Sequence, residues 1–175
     1  MYRVLLISGS FPPMRCGVGD YSANLAQSLS NTGKVHVGVL TPTDISERSS
    51  SLEFVRGPGW RFRSGIAIIR IVSRWKPDLV HIQYPTQGYG GGLLLWILPL
   101  MLRVIGVPVV QTWHEFLPMA RHIHSLLLCI PCKTAIVVRP KFRETLSCWY
   151  RWLTRSVDFK FIEGAAVIPR SSSSD

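Results

Sequence analysis

Two stretches of this chain carry residue types that do chemistry at spacings controlled by the backbone. The first is Cys16-Gly17-Val18-Gly19-Asp20, which follows Phe11-Pro12-Pro13. Prolines fix φ and forbid helix, whereas Gly17 and Gly19 permit positive φ and let a ligand approach bare backbone. Asp20 is the expected N-cap of a following helix, so unpaired N–H groups and the helix dipole converge on one anion-sized place. The spacing is neither Gly-x-Gly-x-x-Gly nor a Walker loop, and a tight strand-to-helix turn without a ligand is the plainer alternative. The second is His114-Glu115, carried at the end of the apolar run Val109-Val110-Gln111-Thr112-Trp113. A histidine there can contact a sugar hydroxyl or a phosphate, or act as acid or base; its bland alternative is a ring satisfied by a neighbouring backbone group.

Two further pairs, His122-x-His124 and Cys129-x-x-Cys132, have the look of zinc knuckles. Both fall in one apolar, helix-like segment with Pro131 inside the second, and zinc ribbons pair two such knuckles on turns. No metal is expected.

These residues need a frame to hold them together. Val4-Leu5-Leu6-Ile7 reads as a buried parallel strand, followed by the glycine loop and a helix with Tyr21, Leu25 and Leu29 at helical spacing. Val35 to Leu40 reads as a second strand, Leu52 to Val55 as a short edge strand, and Pro77 to Gln83 as a core strand. The last ends in the aromatic and glycine-rich loop Tyr84 to Gly92, which includes Gln87. Helices are expected over Ser64 to Lys76, with apolar Ile66, Ile68, Ile69, Val72 and Trp75 beside the basic Arg63, Arg70 and Arg74, and over Leu93 to Ile105. The latter is too apolar all round to face solvent and holds Pro99, which should kink it. Further on, Leu117 to Ile130 is read as helix, Thr134 to Val138 as strand, a helix from Pro140 carries Phe142, Leu146, Trp149 and Leu153 on one face, and Lys160 to Ile162 is a last strand. Strands alternating with helices predict an α/β, doubly wound, mostly parallel sheet of Rossmann-like type. In such a sheet ligands collect at the carboxyl ends of the strands, where the loop at Gly17, the loop at Tyr84 and His114 would meet.

Composition bounds the rest. With 175 residues, 47% hydrophobic and 17% charged, the chain can bury one sizeable core and is not of the disordered class. Twenty Lys and Arg against ten Asp and Glu leave a net charge of +10, which favours anionic partners such as phosphorylated small molecules or acidic lipid. The basic residues are dispersed, without a nucleic-acid motif, so a nucleic-acid partner is not expected. Four cysteines do not make a secreted disulfide framework, no signal peptide is evident, and the apolar run at Leu93 is too short to span a bilayer. A cytoplasmic protein, either soluble or peripheral at the inner face of the cell membrane, is the consistent reading.

Four of these stretches resemble, in order, landmarks of the GT-B glycosyltransferases, specifically the retaining family 4. Phe11-Pro12-Pro13 with Cys16-Gly17-Val18-Gly19-Asp20-Tyr21 resembles that family's N-terminal loop; Pro77 to Pro85 its second landmark; Val109 to Glu115 its third; and Ile162 to Pro169 the strand entering the hinge between two domains. The resemblance implies that residues 1–169 form the Rossmann-like N-terminal, acceptor-side domain, with a polar Ser-rich tail over 170–175. It implies transfer of a sugar from a nucleotide-sugar donor to a glycolipid or polysaccharide acceptor, with no cofactor because the nucleotide-sugar is itself a substrate. His114 is the implied catalytic residue, and Gly17, Val18, Gly19, Asp20, Tyr84, Gln87 and Glu115 are implied to bind donor or acceptor. Where many family members have adjacent glycines this chain has Cys16-Gly17. The family's second, nucleotide-holding GT-B domain has no counterpart in this sequence, so the chain by itself is expected to be incomplete for catalysis. The alternative from a different class is a stand-alone anion- or membrane-binding α/β module without turnover.

Overall fold

The computed structural model describes residues 1–45, 51–90, 94–114 and 132–162. Seven strands form one sheet: β1 (Tyr2–Ile7), β2 (Val35–Thr41), β3 (Glu53–Arg56), β4 (Leu79–Tyr84), β5 (Val109–Trp113), β6 (Thr134–Val137) and β7 (Asp158–Phe161). Their order is β3-β2-β1-β4-β5-β6-β7, and every pairing is parallel. This is the Rossmann-like α/β sheet that the alternation of strands and helices predicts. The described helices are α1 (Gly17–Asn31), α2 (Gly65–Trp75), α3 (Leu94–Val104) and α4 (Cys148–Leu153).

Because side chains alternate across a strand, β1 feeds two cores at once. Leu6 packs with Phe11, Ala26, Val37 and Val39 on the α1 face, while Leu5 and Ile7 join Ile68, Val72, Val80, Ile82, Leu98 and Leu102 on the opposite face. Both faces are covered, as a parallel sheet requires.

The helices differ from the sequence reading in informative ways. On α1 the deepest residues are Gly19, Ser22 and Ala26, with Tyr21, Leu25 and Leu29 only half-buried. Small side chains let the helix lie close to the loop that precedes it: a Cβ on Gly19 would come within 3.3 Å of the Ser10 carbonyl. Ser22 is buried beside Ser8, with their hydroxyls 3.3 Å apart. On α2, Ile68, Val72 and Trp75 are buried as expected, yet Ile66 is 64% exposed beside an exposed Arg70, because the helix turns Gly65 towards α3. The apolar helix α3 runs through Pro99 as one element and buries Leu94, Leu95, Leu98 and Leu102. It is not enclosed all round: Leu100 and Val104 face outwards.

The single helix expected from Pro140 is split. A 3-10 turn over Phe142–Thr145 is followed by extended backbone at Leu146 and Ser147, and only then by α4. Ser147 takes the N-cap position in extended backbone, its side chain closing no capping hydrogen bond. The new phase buries Tyr150 and leaves Trp149 51% exposed. The expected helix over 117–130 and the segment from 163 to 169 lie outside the described residues.

Candidate functional site

The sheet order reverses between β1 and β4: β1 leads outwards to β2 and β3, and β4 leads the other way to β5. At such a switch point the loops leaving adjacent strands diverge and leave a crevice at the carboxyl edge. Here the crevice is a cavity of about 450 Å³ lined by Cys16, Gly17, Val18, Pro85, Thr86, Gln87 and His114. The glycine loop, the loop after β4 and the residue after β5 thus converge, as their places in the sequence predict.

Backbone contacts lock the first two of these loops together. The Gly88 N–H donates to Ser10 Oγ at 2.8 Å, and the Tyr89 hydroxyl donates to the Ile7 carbonyl at 3.2 Å. No side chain larger than hydrogen fits at Gly88, because its Cβ would run into the Gly9 carbonyl.

The start of α1 corrects two expectations. Helix begins at Gly17, so Cys16 takes the N-cap position and Asp20 sits within the first turn. Gly17 and Gly19 are helical, and the positive-φ glycines among the described residues are Gly33, Gly59, Gly90 and Gly106. What glycine supplies here is space. Beyond Gly17 there is nothing within 4 Å of a notional Cβ, so bare backbone opens on the cavity, whereas Gly19 is needed for contact with Ser10. The Cys16 side chain closes no capping hydrogen bond. Partial burial raises its thiol pKa, but the Gln87, Gly19 and Val18 backbone and the Ser10 hydroxyl around it outweigh that and hold it below the ordinary thiol value.

His114 stands one residue beyond β5, its N–H donating to the Tyr84 carbonyl at 2.8 Å. Its Nε2 lies 2.7 Å from Gln83 Oε1, and the Tyr21 ring from α1 meets its ring edge-to-face. Behind it, Gln83 Nε2 is 3.2 Å from His81 Nε2, which is also 2.8 Å from Thr112 Oγ1. Burial lowers the His114 pKa to about 4. For His81, burial and then the neighbouring His114 bring it to about 4 as well. Both rings are therefore neutral at physiological pH.

Of the residues singled out in the sequence, Gly17, Val18, Gln87 and His114 line one cavity. Gly19, Asp20 and Tyr84 do not: Gly19 is packed against Ser10, Asp20 is exposed on α1, and the Tyr84 ring is buried against Trp113. Glu115 lies outside the described residues, as do His122, His124 and Cys129. Among the described residues no cluster of three metal-ligating side chains occurs. Cys132 is buried with its thiol accepting from Gln111 Nε2, an apolar-core role. Sequence reasoning missed Thr86, Pro85 and above all Gln83. The legible signal was polar His81 and Gln83 two residues apart in an apolar strand, hence on one face.

A parallel sheet of this order with a cavity at its switch point defines a Rossmann-like domain of the kind that builds GT-B glycosyltransferases. The chain belongs to glycosyltransferase family 4: the family model Glycosyltransferase Family 4 matches residues 16–162. Among solved structures, that of Phytolacca americana UGT2, complexed with UDP-2fluoro-glucose and pterostilbene, is similar over 93% of this chain at a TM-score of 0.58 and 11% identity. At that identity the likeness is one of fold. The match covers 52% of that protein, so this chain spans about half its length. A short chain dehydrogenase family protein from Francisella tularensis subsp. tularensis also matches, with a TM-score of 0.49, 11% identity, and 78% of this chain and 69% of that one covered. No curated protein matches.

Proposed function

We propose that this domain is the acceptor-side half of a retaining glycosyltransferase that moves a hexosyl group from a nucleotide-sugar to a glycolipid or polysaccharide acceptor. The observation that carries this reading is the cavity shared by the α1 N-terminus, the turn at Gln87 and His114 in a chain of family 4. The open backbone at Gly17 presents the first turn of α1 and the positive end of the helix dipole to a diphosphate. Gln87 adds a neutral polar group to the wall, and His114 accepts a hydrogen bond from a sugar hydroxyl. Asp20, Gly19 and Tyr84 serve indirectly, by shaping α1 and seating His114; Glu115 is proposed as a ligand contact beside His114. A second GT-B domain facing the cavity completes the donor site in this reading, so residues 1–175 alone are expected to bind but not to turn over. Leaving-group charge is then met by dipoles and basic residues, with no cofactor.

Surface chemistry supports a lipid-linked acceptor and a peripheral membrane position. Phe62 and Ile66 are exposed beside Arg63 and Arg70, and Trp149 and Trp152 beside Arg151 and Arg155. Aromatic and basic side chains together suit an anionic headgroup region. No described helix is long and apolar enough to cross a membrane.

Calorimetric titration with nucleotide-sugars tests the proposal. Binding should be present and should weaken at least tenfold in Gly17→Asp, which sets a carboxylate in the cavity mouth. Equal affinity in wild type and Gly17→Asp would refute the site. Vesicle co-sedimentation tests the surface: binding to acidic vesicles should exceed that to neutral ones and fall with salt.

A further inference from the structure

The buried carboxamide of Gln83 lies between two imidazoles, and its orientation decides how the cavity histidine presents itself. His81 Nε2 serves two neighbours at once, Thr112 Oγ1 at 2.8 Å and Gln83 Nε2 at 3.2 Å. The Gln83 amide nitrogen that faces the ring can only donate, so His81 Nε2 is an acceptor, and the Thr112 hydroxyl, free to rotate, donates to the same nitrogen. His81 is thus neutral with its proton on Nδ1, and the Gln83 amide nitrogen faces it. A carboxamide has one nitrogen and one oxygen, so the Gln83 carbonyl is left facing His114, where Oε1 stands 2.7 Å from Nε2. That oxygen only accepts, so His114 must carry its proton on Nε2. All four side chains share the α1 face of the sheet, in the register that pairs Gln83 with Thr112, and Gln83 and Thr112 are wholly buried.

We infer that Gln83 is a positioning residue, clamped between His81 and His114 so that His114 offers Nδ1 to the cavity as a lone-pair acceptor for a ligand hydroxyl. Nδ1 has no partner among the described residues. Tyr21 pins the same ring from α1, with ring centroids 4.7 Å apart. The ligand hydroxyl rests on the glycosyl-transfer reading above; the tautomer does not. Among the described residues, the titratable groups facing His114 are Tyr21 of α1, His81 of β4 and, across the cavity, Cys16.

Two-bond nitrogen–proton correlation spectra of the histidine-labelled chain test this without ligand. In wild type, His114 should show the Nε2–H tautomer and His81 the Nδ1–H tautomer. Gln83→Leu keeps the volume and removes the acceptor, so His114 should become a tautomer mixture. Gln83→Glu places a carboxylate against Nε2 and should raise the His114 pKa by roughly 1 to 3 pH units. Amide spectra check that each variant is folded. A wild-type His114 protonated on Nδ1 would overturn the assignment whether or not either variant folds, and so would an unchanged tautomer in folded Gln83→Leu. Nucleotide-sugar titration of the same wild-type sample separates the two readings: absent binding with the Nε2–H tautomer in place refutes the donor site and leaves the Gln83 assignment standing.

Discussion

The Tyr21 ring stands edge-to-face on the His114 ring, with centroids 4.7 Å apart and planes at 75°. One residue comes from the first turns of α1 and the other from just beyond β5, so a single aromatic contact ties the glycine-loop helix to the cavity histidine. Such pairs contribute about 0.5 to 1.5 kcal/mol beyond their area. Tyr21→Ala should therefore destabilise by about 1 to 2 kcal/mol in urea unfolding and free the His114 ring. Tyr21→Phe retains the edge and should stay within about 0.5 kcal/mol of wild type. Equal losses in the two variants would assign the effect to the hydroxyl instead.

The two glycines at the head of α1 should respond differently. Gly17 is helical with open space around it, so Gly17→Ala should leave stability unchanged or raise it by about 0.5 kcal/mol through the unfolded chain. Gly19→Val drives a branched side chain at the Ser10 carbonyl and should cost about 1 to 3 kcal/mol. Thermal unfolding of the pair decides it.

Acid should weaken the fold before the carboxylates titrate. Burial holds His114 and His81 at about 4 in the native state, whereas an unfolded histidine titrates near about 6.5. Between those values the unfolded chain binds more protons than the folded one, so stability falls as pH drops. It is greatest above about pH 6.5 and reaches its loss once pH has passed below about 4. Urea midpoints measured from pH 7.5 to 4 should show this slope, and His114→Gln should flatten it.

Thiol chemistry should sort the described cysteines by environment. Burial pushes the Cys132 thiol up to about 12, despite the Gln111 contact. Cys16 is drawn below its ordinary value and lines the cavity. Iodoacetamide at neutral pH should label Cys16 while Cys132 stays intact until denaturation, read by peptide mass spectrometry. A nucleotide-sugar at saturation should slow labelling of Cys16 and not of exposed Cys148. Cys132 is a small buried residue whose thiol accepts from Gln111 Nε2, and elemental analysis should find no stoichiometric zinc.

The amino-acid sequence by itself determined the layered architecture and the convergence of the loops. Short apolar runs such as Val4 to Ile7 and Val109 to Trp113 have no stable place except the middle of a two-sided parallel sheet. Once strands and helices alternate, loops leaving neighbouring strands must meet at one edge, which is why Gly17, Gln87 and His114 were found together from their positions alone. What the sequence left undecided depends on contacts between residues far apart in the chain. Whether glycine at 19 serves torsion or space is set by Ser10 pressing on the helix, and local spacing carries no record of that pressure. Ile66 points outwards because α3 claims the neighbouring Gly65. Only the tertiary structure places Gln83 between two imidazoles, since His114 is thirty-one residues away in the chain and reaches the carboxamide only through the pairing of β4 with β5.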